Sequence, residues 1–210
     1  VFARDYSKTK GFAESFTANA IAFRKFSDLC NDENVDLVLL LTPPNARLDY
    51  VEALTKAGKP LIVEKPLERN FDRAQNIVEQ GKIHESPIGV FLQHRKRPSI
   101  KTLKKLIDQR RVGTIATVEV RIPWWREQHY YDQDGRGTWA RDGGGVLITQ
   151  AIHTLDIMLL LCGPVKEVQG MIHTSALHKL EAEDFSGALL KFKSGARGTL
   201  MASTTHYPGS

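Results

Sequence analysis

Apolar and polar positions follow two different rhythms along the chain. Up to about residue 93, short apolar runs alternate with helical stretches. Val1–Ala3 reads as a strand cut off at its start, Ser7–Asn19 as a helix and Ile21–Phe23 as a short strand; Ser27 is placed to cap a helix running to Asn31. Asp36–Leu41 is a buried strand, Arg47–Ala57 a helix stopped by Gly58, Leu61–Glu64 the next strand, Phe71–Lys82 a helix and Ile88–Gln93 a strand. Strands buried on both faces and alternating with helices over short connections predict an α/β fold with a doubly wound parallel sheet.

After Gln93 the rhythm changes. Pro98–Gln109 is an amphipathic helix, and Thr114–Trp124 alternates as an antiparallel strand with one covered face does. A polar and aromatic loop, Trp125–Arg141, leads to the strongly apolar helix Gly145–Leu161, closed by Gly163-Pro164. Val165–His173, Phe185–Phe192 and Gly195–Ser203 read as strands, with Lys193-Ser194-Gly195 as a hairpin turn. The second part is therefore an α+β domain with an antiparallel sheet, and the predicted domains are 1–93 and 94–210.

Composition narrows the function classes. Of the 210 residues, 41% are hydrophobic and 25% charged, which suits a globular chain. The net charge of +5 reflects 29 basic against 24 acidic side chains. Lys101, Lys104, Lys105, Arg110 and Arg111 lie on a predicted helix without an aromatic ladder or zinc-type spacing, so a solvated face is expected and no nucleic acid. Two distant cysteines, Cys30 and Cys162, indicate a reducing compartment, and no apolar run spans a bilayer; the reading is a cytoplasmic protein with neither membrane partner nor metal site.

Two stretches carry chemistry. In Lys59–Leu67, KPLIVEKPL, Pro66 ends the strand and leaves Lys65 at its carboxyl end, where open α/β sheets place their ligand crevice. In the apolar helix 145–161, Thr149, His153 and Asp156 share one stripe at about 100° per residue. Periodicity alone leaves two readings of that stripe, a satisfied structural His–Asp pair or an imidazole facing the crevice as acid/base. The loop residues Trp125, Arg126, Tyr131 and Trp139 are either plain surface or a sugar-stacking face with arginines for hydroxyls or a carboxylate. No G-x-G-x-x-G turn follows any strand, as the first βα unit of a dinucleotide fold requires, so that unit is expected to be missing.

The run Gly58–Leu67, with Glu64-Lys65-Pro66 at its centre, resembles a signature of the glucose–fructose oxidoreductase, inositol dehydrogenase and rhizopine-catabolism family of NAD(P)-dependent sugar oxidoreductases. Gly143-Gly144-Gly145 through His153 and Asp156 resembles that family's second signature, with Thr149 where an aspartate is usual and Ala151 where a glycine is. The resemblance implies a Rossmann-like first domain followed by an α+β substrate and oligomerisation domain. It also implies hydride transfer between a nicotinamide cofactor and a sugar, cyclitol or sugar acid. Lys65 would polarise the reacting oxygen, His153 would act as acid/base, and Thr149 and Asp156 would face the substrate. Thr42, Pro43 and Asn45 match the family's cofactor-contacting turn, with Glu64 and Lys65 beside the nicotinamide. Arg4 stands where the adenosine ribose is met, which leans from NAD toward NADP. Gln93 and Arg97 match the entry into the substrate domain. A homodimer or homotetramer through the antiparallel sheet is implied. A glycosidase of the same ancestry that oxidises transiently through held NAD, and a non-catalytic ligand sensor, are the rival readings.

Overall fold

The computed structural model describes residues 1–16 and 19–209. They divide into two compact units, one made of Val1–Thr42, Ala46–Val63 and Asp72–Gly89, the other of Pro43–Asn45, Glu64–Phe71 and the chain from Val90 onward.

In the first unit the elements are α1 (Tyr6–Glu14), α2 (Phe26–Asn31), β1 (Val38–Leu40), α3 (Leu48–Lys56), β2 (Leu61–Glu64), α4 (Phe71–Ile83) and β3 (Ile88–Phe91), the last residues of β2 and β3 and the first of α4 grouping with the second unit. Strand order is β1-β2-β3, and β1 runs parallel to β2 with Val38, Leu39 and Leu40 opposite Leu61, Ile62 and Val63. Leu40, Val51, Leu54, Leu61, Val63 and Ile77 form its core. Burial alternates along the strands: Leu61 and Val63 are enclosed, whereas Leu37, Leu39 and Leu41 are exposed. The continuous apolar runs predicted cover on both faces, and here one face of β1 has it.

Three local expectations fail. Helix α1, capped by Asp5 accepting from Lys8 N–H at 3.1 Å, stops at Glu14 rather than Asn19, and part of the predicted extension lies outside the described residues. Val1–Ala3 and Ile21–Phe23 are not strands; two backbone bonds join them (Val1 N to Ile21 O, 2.6 Å; Phe23 N to Val1 O, 2.9 Å), too few for a ladder. Ser27 does not cap α2, because the helix begins one residue earlier and the Ser27 hydroxyl donates to Asp28 Oδ1 at 3.3 Å.

The second unit contains α5 (Pro98–Asp108), β4 (Thr117–Pro123), α6 (Gln128–Tyr131), a π-helical turn (Leu147–Ala151) continuing into α7 (Ile152–Cys162), and β5 (Val165–His173), β6 (Phe185–Phe192) and β7 (Arg197–Ser203). Short α6 falls inside the stretch read as a plain loop. The sheet order is β4-β7-β6-β5. β5, β6 and β7 are antiparallel neighbours as predicted, but β4 lies parallel to β7. Alternation in Thr114–Trp124 reports which side chains point inward and nothing about direction. The long excursion between β4 and β7 imposes no hairpin, so a parallel pairing is open to it. Val120, Ile122, Leu190, Phe192, Leu200 and Ala202 of the sheet pack with Val146, Ala151 and Met158, so the apolar helix is the lid of this core. Among the described residues no helix is long and apolar enough to cross a membrane.

Candidate active site

Lys65 follows β2 directly and belongs to the second unit with the π turn and α7. Its ammonium donates to the Thr149 carbonyl at 2.8 Å. That carbonyl sits in the π-helical turn, a departure from the regular α-helical ladder of the kind that recurs at functional sites. The Thr149 hydroxyl turns back to Gly145 O at 2.6 Å and touches Gln150 Oε1. So Thr149 offers Lys65 its backbone, and its side chain is engaged within its own turn. Burial, foremost, and then Arg136 lower the lysine's pKa, opposed by Glu64 and Asp142.

His153, one turn further on, is 8% exposed and its Nδ1 is buried without a hydrogen-bond partner. The ring stacks on His94 with centroids 4.4 Å apart and planes at 29°. Burial drives its pKa down to about 4, with the charges of Lys65 and His94 adding to the effect. His94 is lowered too, by burial first and then by Arg97 and Lys65, and Arg97 Nη2 lies 2.9 Å from His94 Nε2. An uncharged imidazole at neutral pH can accept a proton. The His–Asp pairing open at the sequence level does not form, because the Asp156 carboxylate is gripped through both oxygens by Arg95, Nε to Oδ2 at 2.5 Å. An NMR titration of His153 is expected to inflect near pH 4, and Lys65→Met should raise the inflection by removing a neighbouring cation. An inflection at 6.5 in both proteins would show a solvated ring uncoupled from the lysine.

The triple glycine is explained by two close approaches. Gly143 has φ +79°, and a Cβ there would meet Arg69 O at 2.5 Å. A Cβ on Gly145 would overlap the carbonyl oxygen of Glu183 and lie 2.7 Å from its nitrogen. Glu183, 4% exposed, accepts from Gly145 N at 2.8 Å and Leu147 N at 3.1 Å through its carboxylate, and from Val146 N at 2.9 Å through its carbonyl. It thereby caps the turn from a distant part of the chain, favourably placed against the helix dipole.

The aromatic loop splits into two groups. Tyr131 is buried, bonded to Thr204 Oγ1 at 2.7 Å, and its phenol is pushed up to about 12 by burial. Trp125 pairs with Thr205 through a single bridge and meets Tyr207 edge-on. These two are part of the packing beside the sheet. Next to them His178 Nδ1 lies 2.8 Å from Asp184 Oδ2 and its Nε2 lies 2.9 Å from the Arg126 carbonyl, clipping the loop in place. Arg126, in contrast, lies over the rings of Trp124 and Tyr130, and Gln150 Nε2 donates to Tyr130 OH at 3.2 Å. Trp139 is 46% exposed and its ring edge stands beside Gly144. Gln93 and Arg97 are exposed at the entry to α5. Sequence reasoning passed over His94 as a site residue, as well as Gln150 and Glu183; the first had a signal in its place beside Gln93, whereas Glu183 had none.

Of the cofactor candidates, Arg4 and Thr42 belong to the first unit and Pro43, Asn45, Glu64 and Lys65 to the second. Arg4, Pro43 and Asn45 are exposed, and Arg47 Nη2 donates to Thr42 O at 2.5 Å. The Thr42 hydroxyl, just beyond β1, is buried without a hydrogen-bond partner, which fits a ligand group at the carboxyl end of a parallel strand.

Comparison with known proteins accounts for both halves. Residues 1–91 match the model of an oxidoreductase family with an NAD-binding Rossmann fold, and residues 100–210 match the GFO/IDH/MocA C-terminal domain. An uncharacterized oxidoreductase of Schizosaccharomyces pombe is 25% identical over 190 residues, 88% of this chain and 50% of that protein. Myo-inositol 2-dehydrogenase of Thermotoga maritima is 27% identical over 183 residues, 85% of this chain and 53% of that protein. The WlbA dehydrogenase of Bordetella pertussis, solved with NADH and UDP-GlcNAcA, superposes with a TM-score of 0.90 at 29% identity, covering 99% of this chain and 59% of that one. The chain thus spans about half the length of the curated relatives it matches. With an NAD(P)-binding Rossmann fold matched in its first part and the partner domain in its second, the chain belongs to the GFO/IDH/MocA oxidoreductase family.

Proposed function

We propose that the protein takes part in NAD(P)-dependent oxidation or reduction of a sugar, cyclitol or sugar acid. The observation that carries this reading is Lys65 docked on the carbonyl of Thr149, one turn before the buried His153, whose Nδ1 has no hydrogen-bond partner. Lys65 donates to the oxygen of the reacting carbon, holding it and stabilising negative charge as it develops. His153 accepts the hydroxyl proton in oxidation and returns it in reduction. Glu64, adjacent to Lys65, balances its charge. Thr42, Pro43 and Asn45 would hold the dinucleotide on the nicotinamide side and Arg4 on the adenosine side, with an arginine suiting NADP. When bound, the nicotinamide gives or takes a hydride. The relatives support sugar-like substrates: one is a myo-inositol 2-dehydrogenase, and another is solved with UDP-GlcNAcA and NADH. Residues 1–93 then serve the dinucleotide and 94–210 the substrate, in the cytoplasm. A homodimer or homotetramer through the sheet is supported by Met171 and Leu189, both exposed on it.

Because no G-x-G-x-x-G turn occurs in the chain, the test uses two proteins: this chain, and this chain behind a strand–glycine turn–helix unit of a dinucleotide fold. NADH and NADPH are titrated by fluorescence, and sugars, cyclitols and sugar acids are screened for change in nicotinamide absorbance. Turnover that drops about a hundredfold or more in His153→Ala is expected. Dinucleotide binding without turnover of any candidate would overturn the oxidoreductase reading in favour of a sensor.

A further inference from the structure

Arg126 and Arg136 both lie over one aromatic ring. The Arg126 guanidinium carbon lies 5.4 Å and that of Arg136 4.9 Å from the Tyr130 centroid. Stacking of this kind is favourable and leaves the N–H fork free to donate in the guanidinium plane. Their hydrogen bonds use little of that fork: Arg126 Nη1 reaches Trp125 O at 2.9 Å and Arg136 Nη2 reaches Gln133 Oε1 at 3.2 Å. Neither has a carboxylate within ion-pairing distance among the described residues, and both are only half-exposed. Arg136 Nε is buried without any hydrogen-bond partner, and so is Nη1 of neighbouring Arg141. Of the acids in and beside this loop, Glu127 lies 3.1 Å from His129 Nδ1, Asp132 accepts from Gln128 Nε2 at 2.9 Å, and Asp142 accepts from Gly137 N at 2.9 Å and stands 3.9 Å from Arg141 Nε.

Unpaired buried guanidinium N–H groups carry a desolvation cost that an anionic ligand would offset. The cluster is continuous with the site. Tyr130 OH accepts from Gln150 at 3.2 Å, and the residue before Gln150 is Thr149, whose carbonyl holds Lys65. Arg136 is also among the charges felt by the Lys65 ammonium. Two clips fix the loop: His178 holds the Arg126 carbonyl, and Gly137 O accepts from Glu181 N and Ala182 N.

We infer that Arg126 and Arg136, both over the Tyr130 ring, form an oxyanion subsite beside Lys65, so that the substrate is a sugar bearing a carboxylate or phosphate. This rests on the sugar-oxidoreductase reading and narrows its substrate class from neutral and acidic sugars to anionic ones. Arg126 and Arg136 are specificity residues that hold the charged substituent while Lys65 meets the reacting oxygen.

The test is binding to the chain itself, which separates it from turnover. Glucuronate, glucose 6-phosphate and glucose are titrated while the arginine Nε–H resonances are followed by NMR. At least one anionic sugar should bind ten times or more tightly than glucose and shift the Arg136 signal, and raising the salt concentration should erode the preference. The glucuronate and phosphate arms tell the two anions apart. Arg136→Met and Arg126→Met should bring anionic and neutral sugars within about twofold, and Arg136→Lys should restore only part of the preference. Equal affinities for charged and neutral sugars in the unaltered chain would overturn the subsite, and so would a preference that survives both methionine variants. Anion preference without nicotinamide turnover would instead count against the oxidoreductase reading and leave the subsite standing.

Discussion

Lys65→Met is expected to lower kcat/KM for hydride transfer about a thousandfold, chiefly through kcat. The ammonium has three N–H groups, and among the described residues it donates to one acceptor, the Thr149 carbonyl at 2.8 Å. The others are free to donate to an oxygen on the reacting carbon. Such a donor matters most when negative charge builds on that oxygen, so its loss falls on the chemical step more than on ground-state binding. Methionine keeps the unbranched apolar stem of lysine and is one atom shorter, so the strand end should hold its shape. Lys65→Arg is not expected to rescue: a planar fork cannot occupy the ammonium's place on a single carbonyl. The measurement is steady-state kinetics on the protein carrying the glycine turn, with dinucleotide affinity followed in parallel. A loss below tenfold, or a loss wholly in KM, would remove Lys65 from the reaction.

The same two stretches, Glu64-Lys65-Pro66 and Gly143 through Asp156, were legible without coordinates because each couples a backbone event to a chemical group. Proline ends a strand and leaves a lysine at its edge; three glycines admit close contacts and launch a helix whose polar stripe is visible by period. What stayed hidden depends on partners far away in sequence. Asp156 reads as crevice-facing from its stripe, yet Arg95, distant in the chain, takes both of its oxygens. Thr149 reads as a substrate contact, yet its carbonyl is the group that matters to Lys65, and no side-chain pattern announces a π turn. Tyr131 and Trp125 look like a stacking surface beside Tyr130 and Arg126, and only Thr204 and Thr205, arriving from the end of β7, sort them into packing. Strand direction was lost for the same reason: the alternation of Val118, Val120 and Ile122 is shared by parallel and antiparallel neighbours, and β7 decides.

Glycine 145 is where fold and site are most tightly tied, and Gly145→Ala is expected to cost about 4–9 kcal/mol. A methyl group there overlaps the Glu183 carbonyl oxygen and comes 2.7 Å from the Glu183 carbon and nitrogen, so backbone rather than a movable side chain must give way. Overpacking of a core costs about 1–3 kcal/mol where side chains can adjust. Here displacement also breaks the bonds from Gly145, Val146 and Leu147 N–H to Glu183, two of which end on a carboxylate and are worth about 1.5–3 kcal/mol each. The sum is a large part of the stability of an ordinary domain. Two controls isolate the contact. Gly113→Ala, at φ +71° in open space, should cost only about 1 kcal/mol from its backbone conformation. Gly11→Ala, inside α1 with nothing within 4 Å, should stabilise by about 0.5–1 kcal/mol. Urea unfolding midpoints rank the three. In any Gly145→Ala protein that still folds, the π turn loses its cap, Lys65 loses the fixed Thr149 carbonyl, and the His153 titration should move from about 4 back toward 6.5. A Gly145→Ala protein as stable as Gly113→Ala, with that titration unmoved, would mean that the close approach to Glu183 is not what holds the lysine and the imidazole together.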